Sequence, residues 1–277
     1  MPYNKINDCE GGQSMIINNN SILYFSGTGN TYDLASKIAK EGKIQLVNVS
    51  SLVEEEVIEI NCDKIGVAFP IYYGGIPNIM NKTISKMVFL NEQYFFALAT
   101  YGGMPANPFK LLQRKLKEKG ASLGAGFLMN MPGNYLPMYG ARRSSVQIKN
   151  FKKADKKIEE VAEIIISKKV LPYEKSPYII DRPFANLSEK RVEKLAALDV
   201  NFNVDNNCNN CGICLRICPV KNINIENGKI KWLGRCEQCM ACIQHCPREA
   251  LQYSNKTSKR KRYTNPNVEY LRVLLNN

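Results

Sequence analysis

Apolar and polar residues alternate between two spacings along the first 170 positions. Five short apolar runs, 22–26, 45–49, 64–69, 94–100 and 123–129, have the length and composition of buried strands. Between them the spacing turns helical. In 31–41, Leu34, Ala35, Ile38 and Ala39 share one side, and further helices are expected over about 77–87 and 107–119. Pro77 suits a first helical turn and Gly120 a C-cap. A Gly/Pro-rich loop, 130–146, then precedes a long amphipathic helix over about 147–167. Strands too apolar to be half exposed, alternating with helices, predict a parallel sheet covered on both faces. The expected fold class is α/β, a doubly wound five-stranded domain over residues 15–169.

Ligands of such sheets sit at the carboxyl ends of the strands, near the switch in strand order. Three unusual loops lie there: Ser26-Gly27-Thr28-Gly29-Asn30-Thr31, then Pro70-Ile71-Tyr72-Tyr73-Gly74-Gly75, then Thr100-Tyr101-Gly102-Gly103. The first is a Gly-rich turn entering a helix, where free N–H groups and the helix dipole attract anions. It lacks the Gly-Lys-Ser/Thr of a Walker loop, and Tyr32 stands where a dinucleotide fingerprint needs its third glycine. A phosphate-bearing ligand other than ATP or NAD is expected.

The chain has 277 residues, is 44% hydrophobic and contains no run of about 18 apolar residues, so no membrane span is expected. Its polar N-terminus lacks the apolar middle of a signal peptide, which predicts a cytoplasmic protein. Residues 1–14 read as a flexible extension, with Met15 a plausible functional start. Net charge is +13, distributed as +1 over 1–140, +5 over 141–200, +2 over 201–253 and +5 over 254–277. Basicity therefore sits in a linker, 170–200 with the helix before it, and in a basic tail, 254–277. The run Lys259-Arg260-Lys261-Arg262 reads as a solvated end. Apart from Tyr263 it lacks the interleaved aromatics that stack bases, so no nucleic-acid partner is expected.

Eight of ten cysteines crowd between 208 and 246. With no export signal, metal ligation is expected rather than disulfides. Cys9 and Cys62 stand apart, and Cys62 reads as a buried or rim thiol without a role. Residues 208–219 and 236–247 each read C-x2-C-x2-C-x3-C-P, at an offset of 28. Structural zinc is the competing reading, yet zinc has no use for a third C-x2-C step or for Cys-Pro twice. Between the runs, an Asn227-Gly228 hairpin with alternating apolar residues is expected. Trp232 reads as a cap on the small core, and His245 as an exposed loop residue.

The cysteine runs resemble the bacterial two-cluster ferredoxin signature, which implies a small α+β domain over 201–253. By that resemblance Cys208, Cys211, Cys214 and Cys246 hold one [4Fe–4S] cluster, and Cys236, Cys239, Cys242 and Cys218 hold the second. The first domain resembles the flavodoxins, whose Ser/Thr-x-Thr-Gly-x-Thr loop holds the phosphate of FMN; Ser26, Thr28, Gly29 and Thr31 match it. The resemblance implies that Tyr72, Tyr73 and Tyr101 flank the flavin ring, with Gly74, Gly75, Gly102 and Gly103 giving backbone access.

Together the halves resemble the EFR-type flavodoxin–ferredoxin fusion proteins of anaerobic bacteria and archaea, over roughly residues 15–253. This implies an electron-transfer oxidoreductase coupling FMN to two [4Fe–4S] clusters, with no general acid or base of its own. With these groups bound the charge remains roughly +7, so an acidic ferredoxin-like partner is expected. The alternative is a reductase of a small electron-poor substrate, with Asn134, Tyr135, Arg142 and Arg143 covering the flavin or holding the substrate. A weaker third reading is a redox sensor that binds through its tail.

Overall fold

The chain enters through β1 (Lys5–Ile6) and β2 (Ser14–Ile17), which pair antiparallel. The computed structural model describes residues 5–6, 14–178, 180–181 and 185–276; Cys9 falls outside them, as does most of the expected extension. Where that extension is described, at Lys5–Ile6 and Ser14, it is paired in a sheet.

The five apolar runs become β3 (Ser21–Tyr24), β4 (Gln45–Asn48), β6 (Lys64–Pro70), β8 (Tyr94–Tyr101) and β9 (Leu123–Asn130). They form one parallel sheet in the order β4-β3-β6-β8-β9. Order reverses at β3, so the loops after β3, β6, β8 and β9 meet at one edge. α1 (Asn30–Gly42) and α4 (Ser144–Ile166) cover one face, packing on Ile22, Tyr24, Ala68, Phe96, Leu98 and Phe127. Alternate residues of the same strands, Leu23, Phe25, Val67, Phe69, Ala97 and Ala99, point the other way. They pack on α2 (Asn78–Lys86) and α3 (Pro108–Lys117). Each of the larger aliphatic and phenyl side chains contributes about 1.5–3 kcal/mol on burial, which explains why the sheet tolerates no polar face.

A second sheet was not foreseen. β2 pairs in parallel with β5 (Val57–Ile60), and β5 with β7 (Met87–Phe89). Met15, Ile17, Ile58 and Ile60 join the same core as α2. Strands of three or four residues show too little alternation to register in sequence.

Residues 170–200, expected as a linker, are also structured. Leu171 and Glu174 N–H donate to Gly124 and Gly126 O along β9. α5 (Ala185–Glu193) then packs on α3.

The C-terminal half is built around β10 (Phe202–Val204) paired with β13 (Leu251–Tyr253), and a hairpin of β11 (Ile223–Glu226) and β12 (Lys229–Trp232). Asn227 and Gly228 both have left-handed φ at the hairpin tip, as a type I′ turn requires. Short helices α6 (Ile213–Arg216) and α7 (Ala241–Gln244) follow corresponding points of the two cysteine runs. Trp232 stacks on Phe202, ring centroids 5.5 Å apart. Leu136, from the loop after β9, is fully buried in this small core, so the two halves interlock.

The tail is not a solvated end. Tyr263, Asn265 and Tyr270 are buried, and α8 (Tyr270–Leu275) follows. Arg260 donates to Leu136 O at 2.6 Å, and Arg262 to Leu251 O at 2.9 Å. Two of the four basic side chains are thus engaged with backbone carbonyls. Among the described residues no helix is long and apolar enough to cross a membrane.

Candidate functional site

Ser26 and Thr28 follow β3, Gly29 caps α1 with φ 97°, and Asn30 and Thr31 open the helix. The positive end of α1 therefore points at the carboxyl edge of the sheet. Ser26 Oγ accepts from Gly29 N–H at 3.1 Å. Thr31 Oγ1 lies 2.8 Å from Thr100 Oγ1, joining this loop to the end of β8. The Asn134 amide donates to Thr28 Oγ1, and the Asn30 amide to Pro132 O at 2.9 Å. Hydroxyls and amides face the cavity at the helix end, while the buried Asp33 of the first turn accepts from the Asn265 amide away from it. Such a set holds a phosphate monoester without drawing charge from it.

The loop after β6 closes on itself, with Tyr72 N–H donating to Gly75 O and Gly75 N–H to Tyr72 O. Tyr73 and Gly74 have φ of 50° and 81°, the two left-handed positions of a type I′ turn. Glycine suits its place. Tyr73 is held there at a cost of about 1–2 kcal/mol, its hydroxyl donating to Tyr135 Oη at 2.9 Å. Tyr72 meets Phe25 edge-on. Burial pushes the Tyr72 and Tyr135 phenols well up, so both remain neutral groups for stacking and hydrogen bonding.

These loops enclose a cavity of about 490 Å³, within the range of cofactor sites. Of the residues named from sequence, Ser26, Gly27, Thr28, Asn30, Thr31, Pro70, Tyr72, Tyr73, Gly74, Thr100, Tyr101, Gly102 and Gly103 line it. Gly29 and Gly75 stand behind the wall: Gly29 faces Tyr270 and Asn265, and Gly75 faces Ser188 and Val192. In the loop after β9, Asn134 and Tyr135 line the cavity. Arg142 instead lies over the Tyr139 ring and Arg143 caps α4. Met131, Pro132, Gly133, Met138 and Tyr139, of the 131–143 loop expected on this side, also line the cavity; sequence reasoning missed Asp181, Arg191 and Leu195 on the wall, and also Gln238, Cys239 and Met240. None carries a periodic or motif signal toward this site.

Cys208, Cys211, Cys214 and Cys246 line one small cavity, and Cys218, Cys236, Cys239 and Cys242 another. All are free thiols. Among the described residues, no three His, Cys, Asp or Glu side chains are disposed to hold a single metal ion. Four thiols around one cavity fit a [4Fe–4S] cubane, in which iron and sulfide alternate at the corners and each cysteine would ligate a different iron. Burial pushes the Cys214 thiol up to about 11 and the Cys236 thiol up to about 12; iron is the cation that would hold them as thiolates. Cys62 is different. It is buried, donates to Lys64 O at 3.3 Å and is pushed up to about 11 by burial, an inert thiol.

Cys239 and Met240 line both the large cavity and the second cysteine cavity. A Cβ on Gly27 would stand 2.3 Å from Cys239 O, so only glycine allows the Ser26–Thr31 loop this close. His245, expected on an exposed loop, is buried with Nε2 3.2 Å from Gly27 O. Its expected exposure fails because the two halves dock through it, and desolvation lowers its pKa. The tail completes the clamp. Asn265 N–H donates to Thr28 O at 2.8 Å, Tyr270 Oη to Ser26 O at 2.9 Å and Tyr263 Oη to Asn30 Oδ1 at 2.6 Å.

A family described as a flavodoxin domain matches residues 21–133, and one described as a 4Fe-4S dicluster domain matches 207–256. No curated protein matches the chain. Among solved structures it is similar to a putative flavoprotein of Bacteroides uniformis (22% identity, 47% of this chain and 97% of that one, TM-score 0.31). It is also similar to an archaeal flavodoxin (17% identity, 53% and 97%, TM-score 0.30). A third is the rubredoxin oxygen:oxidoreductase of Desulfovibrio gigas (14% identity, 55% and 37%, TM-score 0.32). At these scores the solved structures add nothing to the two domain matches.

Proposed function

From a chain that joins a flavodoxin domain to a 4Fe–4S domain, and is thus an electron-transfer redox protein, we propose a device coupling FMN to two [4Fe–4S] clusters and, through them, to a redox partner. The observation that carries this is the shared wall: Cys239 borders both the flavin-type cavity and the second cysteine cavity. Bound there, a flavin exchanges one or two electrons and each cluster one.

The chain's own part is to hold and align. Ser26, Thr28, Thr31 and the N–H groups opening α1 would take the FMN phosphate. Tyr72, Tyr73 and Tyr101 would flank the ring, while Leu136 and the tail keep the docked halves from parting. The first cysteine cavity reaches the surface at Cys211, which is exposed, beside Arg248. Arg216 is exposed on the same run. An acidic ferredoxin-like protein suits such an exit.

Anaerobic reconstitution with iron, sulfide and FMN tests the core of this proposal. About eight iron atoms and one flavin per chain are expected, with both reduced by one donor. Colourless protein holding zinc would overturn it. Electron exchange with an acidic ferredoxin should slow as ionic strength rises; an unchanged rate removes that partner class.

The phosphate assignment has its own test. A hydrogen bond to a charged group is worth about 1.5–3 kcal/mol, so Thr31→Val should raise the Kd of FMN by about 10- to 150-fold. Fluorescence titration of flavin-stripped protein measures it, and an unchanged Kd takes Thr31 out of the cradle.

A second reading, reduction of a small electron-poor substrate, is favoured by Asp181 and Arg191 on the cavity wall. Asp181 Oδ2 accepts from Ala106 N–H at 2.8 Å while Oδ1 is buried without a partner. A panel of quinones and nitro compounds under anaerobic turnover separates the two readings.

A further inference from the structure

Gln238 occupies a loop that faces both halves of the molecule. It sits between Cys236 and Cys239, two of the four thiols around the second cysteine cavity, yet it lines the large cavity of the flavodoxin half. Its backbone is left-handed, φ 53°, a conformation that costs a non-glycine residue about 1–2 kcal/mol. Strain of this kind persists where surrounding contacts over-determine a position.

Those contacts are specific. The backbone N–H donates to Cys236 Sγ at 3.2 Å, and the side-chain Nε2 donates to the same sulfur at 3.5 Å. The amide's orientation follows from this contact, since nitrogen is the end with a proton to give a sulfur. That leaves Oε1 on the opposite end. The residue is 2% exposed, and Oε1 is buried without any hydrogen-bond partner. A buried carbonyl oxygen left unpaired costs about 1–3 kcal/mol, and native proteins keep few of them. Gln238 lines the large cavity while Oε1 has almost no surface open to it, so a group bound there reaches Oε1 when the end of the side chain turns toward it.

We propose that Gln238 bridges the two redox groups: its amide N–H donates to the Cys236 sulfur while its carbonyl oxygen accepts an N–H or O–H of the bound flavin. The inference rests on the flavin–cluster reading above and adds a named link to it. Cluster potentials respond to hydrogen bonds on their sulfurs. A donor whose other end is held by the flavin therefore ties the second cluster's potential to the occupancy of the cavity.

Gln238→Met keeps the length and volume of the side chain and removes both ends of the bridge. In protein carrying all its groups, the variant is expected to bind FMN about 2- to 10-fold more weakly, the loss of one neutral hydrogen bond. Its second cluster is expected to titrate at a lower potential than in the parent, followed by electron paramagnetic resonance. The decisive comparison needs no substitution. In the parent protein, stripping FMN while keeping the clusters should shift the potential of the second cluster, and in Gln238→Met the same stripping should not.

A parent cluster indifferent to flavin removal, or a variant that retains the parent's shift, overturns the bridge. If Gln238→Met fails to load clusters, the parent comparison alone decides. Parent protein that binds no flavin or no clusters defeats the proposed function itself, a result distinct from a loaded protein with uncoupled potentials.

Discussion

Gly27→Ala is expected to weaken FMN binding by about 5- to 150-fold and to slow electron exchange between flavin and clusters. The added Cβ would stand 2.3 Å from Cys239 O and 3.1 Å from Cys239 Cβ. The first of these is a backbone atom, so it cannot swing aside. Either the phosphate loop retreats or the cysteine loop does. Overpacking of this kind costs typically 1–3 kcal/mol, which converts to the stated range. Retreat of the phosphate loop also breaks the His245 contact with Gly27 O and lengthens the path across the shared wall.

Lys40→Ala is the control. Lys40 is exposed in the last turn of α1, away from the cavity wall. Its FMN affinity should stay within about 2-fold of the parent, as surface changes usually cost under 0.5 kcal/mol. Fluorescence titration and anaerobic stopped-flow read both variants. Gly27→Ala behaving like Lys40→Ala would show that the halves do not rely on this approach.

Cys218→Ser is expected to lose the cluster next to the flavin, although Cys218 belongs to the first cysteine run. In space it lines the cavity of Cys236, Cys239 and Cys242. Iron should fall from about eight to about four atoms per chain, and the flavin should lose its route to the remaining cluster. Cys246→Ser gives the mirror result, because Cys246 lines the cavity of Cys208, Cys211 and Cys214. There the flavin keeps its neighbouring cluster and the exposed exit is cut. Iron analysis with electron paramagnetic resonance distinguishes the two. Loss of the flavin-remote signal in Cys218→Ser would reverse the assignment. A small domain held by its clusters loses stability with each, so thermal unfolding should also drop in both variants.

The flavodoxin half was largely legible in sequence because its physics is local. Each of the five runs, such as Lys64–Pro70 and Tyr94–Tyr101, is apolar enough to demand burial on both faces, and that demand alone implies covering helices. The place of the Ser26–Thr31 loop was legible for a similar reason, since a Gly-rich turn between an apolar run and a helical one falls at the start of α1, on the cavity wall. The spacing of the eight cysteines was more direct still. Covalent reach leaves a repeated C-x2-C-x2-C-x3-C-P few alternatives.

Other features were hidden because their cause lies far along the chain. β2, β5 and β7 are too short to alternate visibly, and they become strands only because a core already exists to receive Met15, Ile17 and Ile58. The tail reads as charge in sequence. Arg260 and Arg262 dock because carbonyls of Leu136 and Leu251 stand within reach, and Tyr270 is buried because Ser26 O accepts its hydroxyl. His245 has no signal that separates it from an exposed loop residue.

The sequence by itself determined a flavodoxin domain and a 4Fe–4S domain, because strand burial, loop hydroxyls and thiol spacing act within a few residues. Only the tertiary structure decided that the second cysteine cavity, rather than the first, abuts the large cavity, and that Gly27, Gln238, His245 and the tail make the joint. Docking depends on shape and on hydrogen bonds between segments some 200 residues apart, as with Gly27 and His245, and neither periodicity nor spacing records such a match.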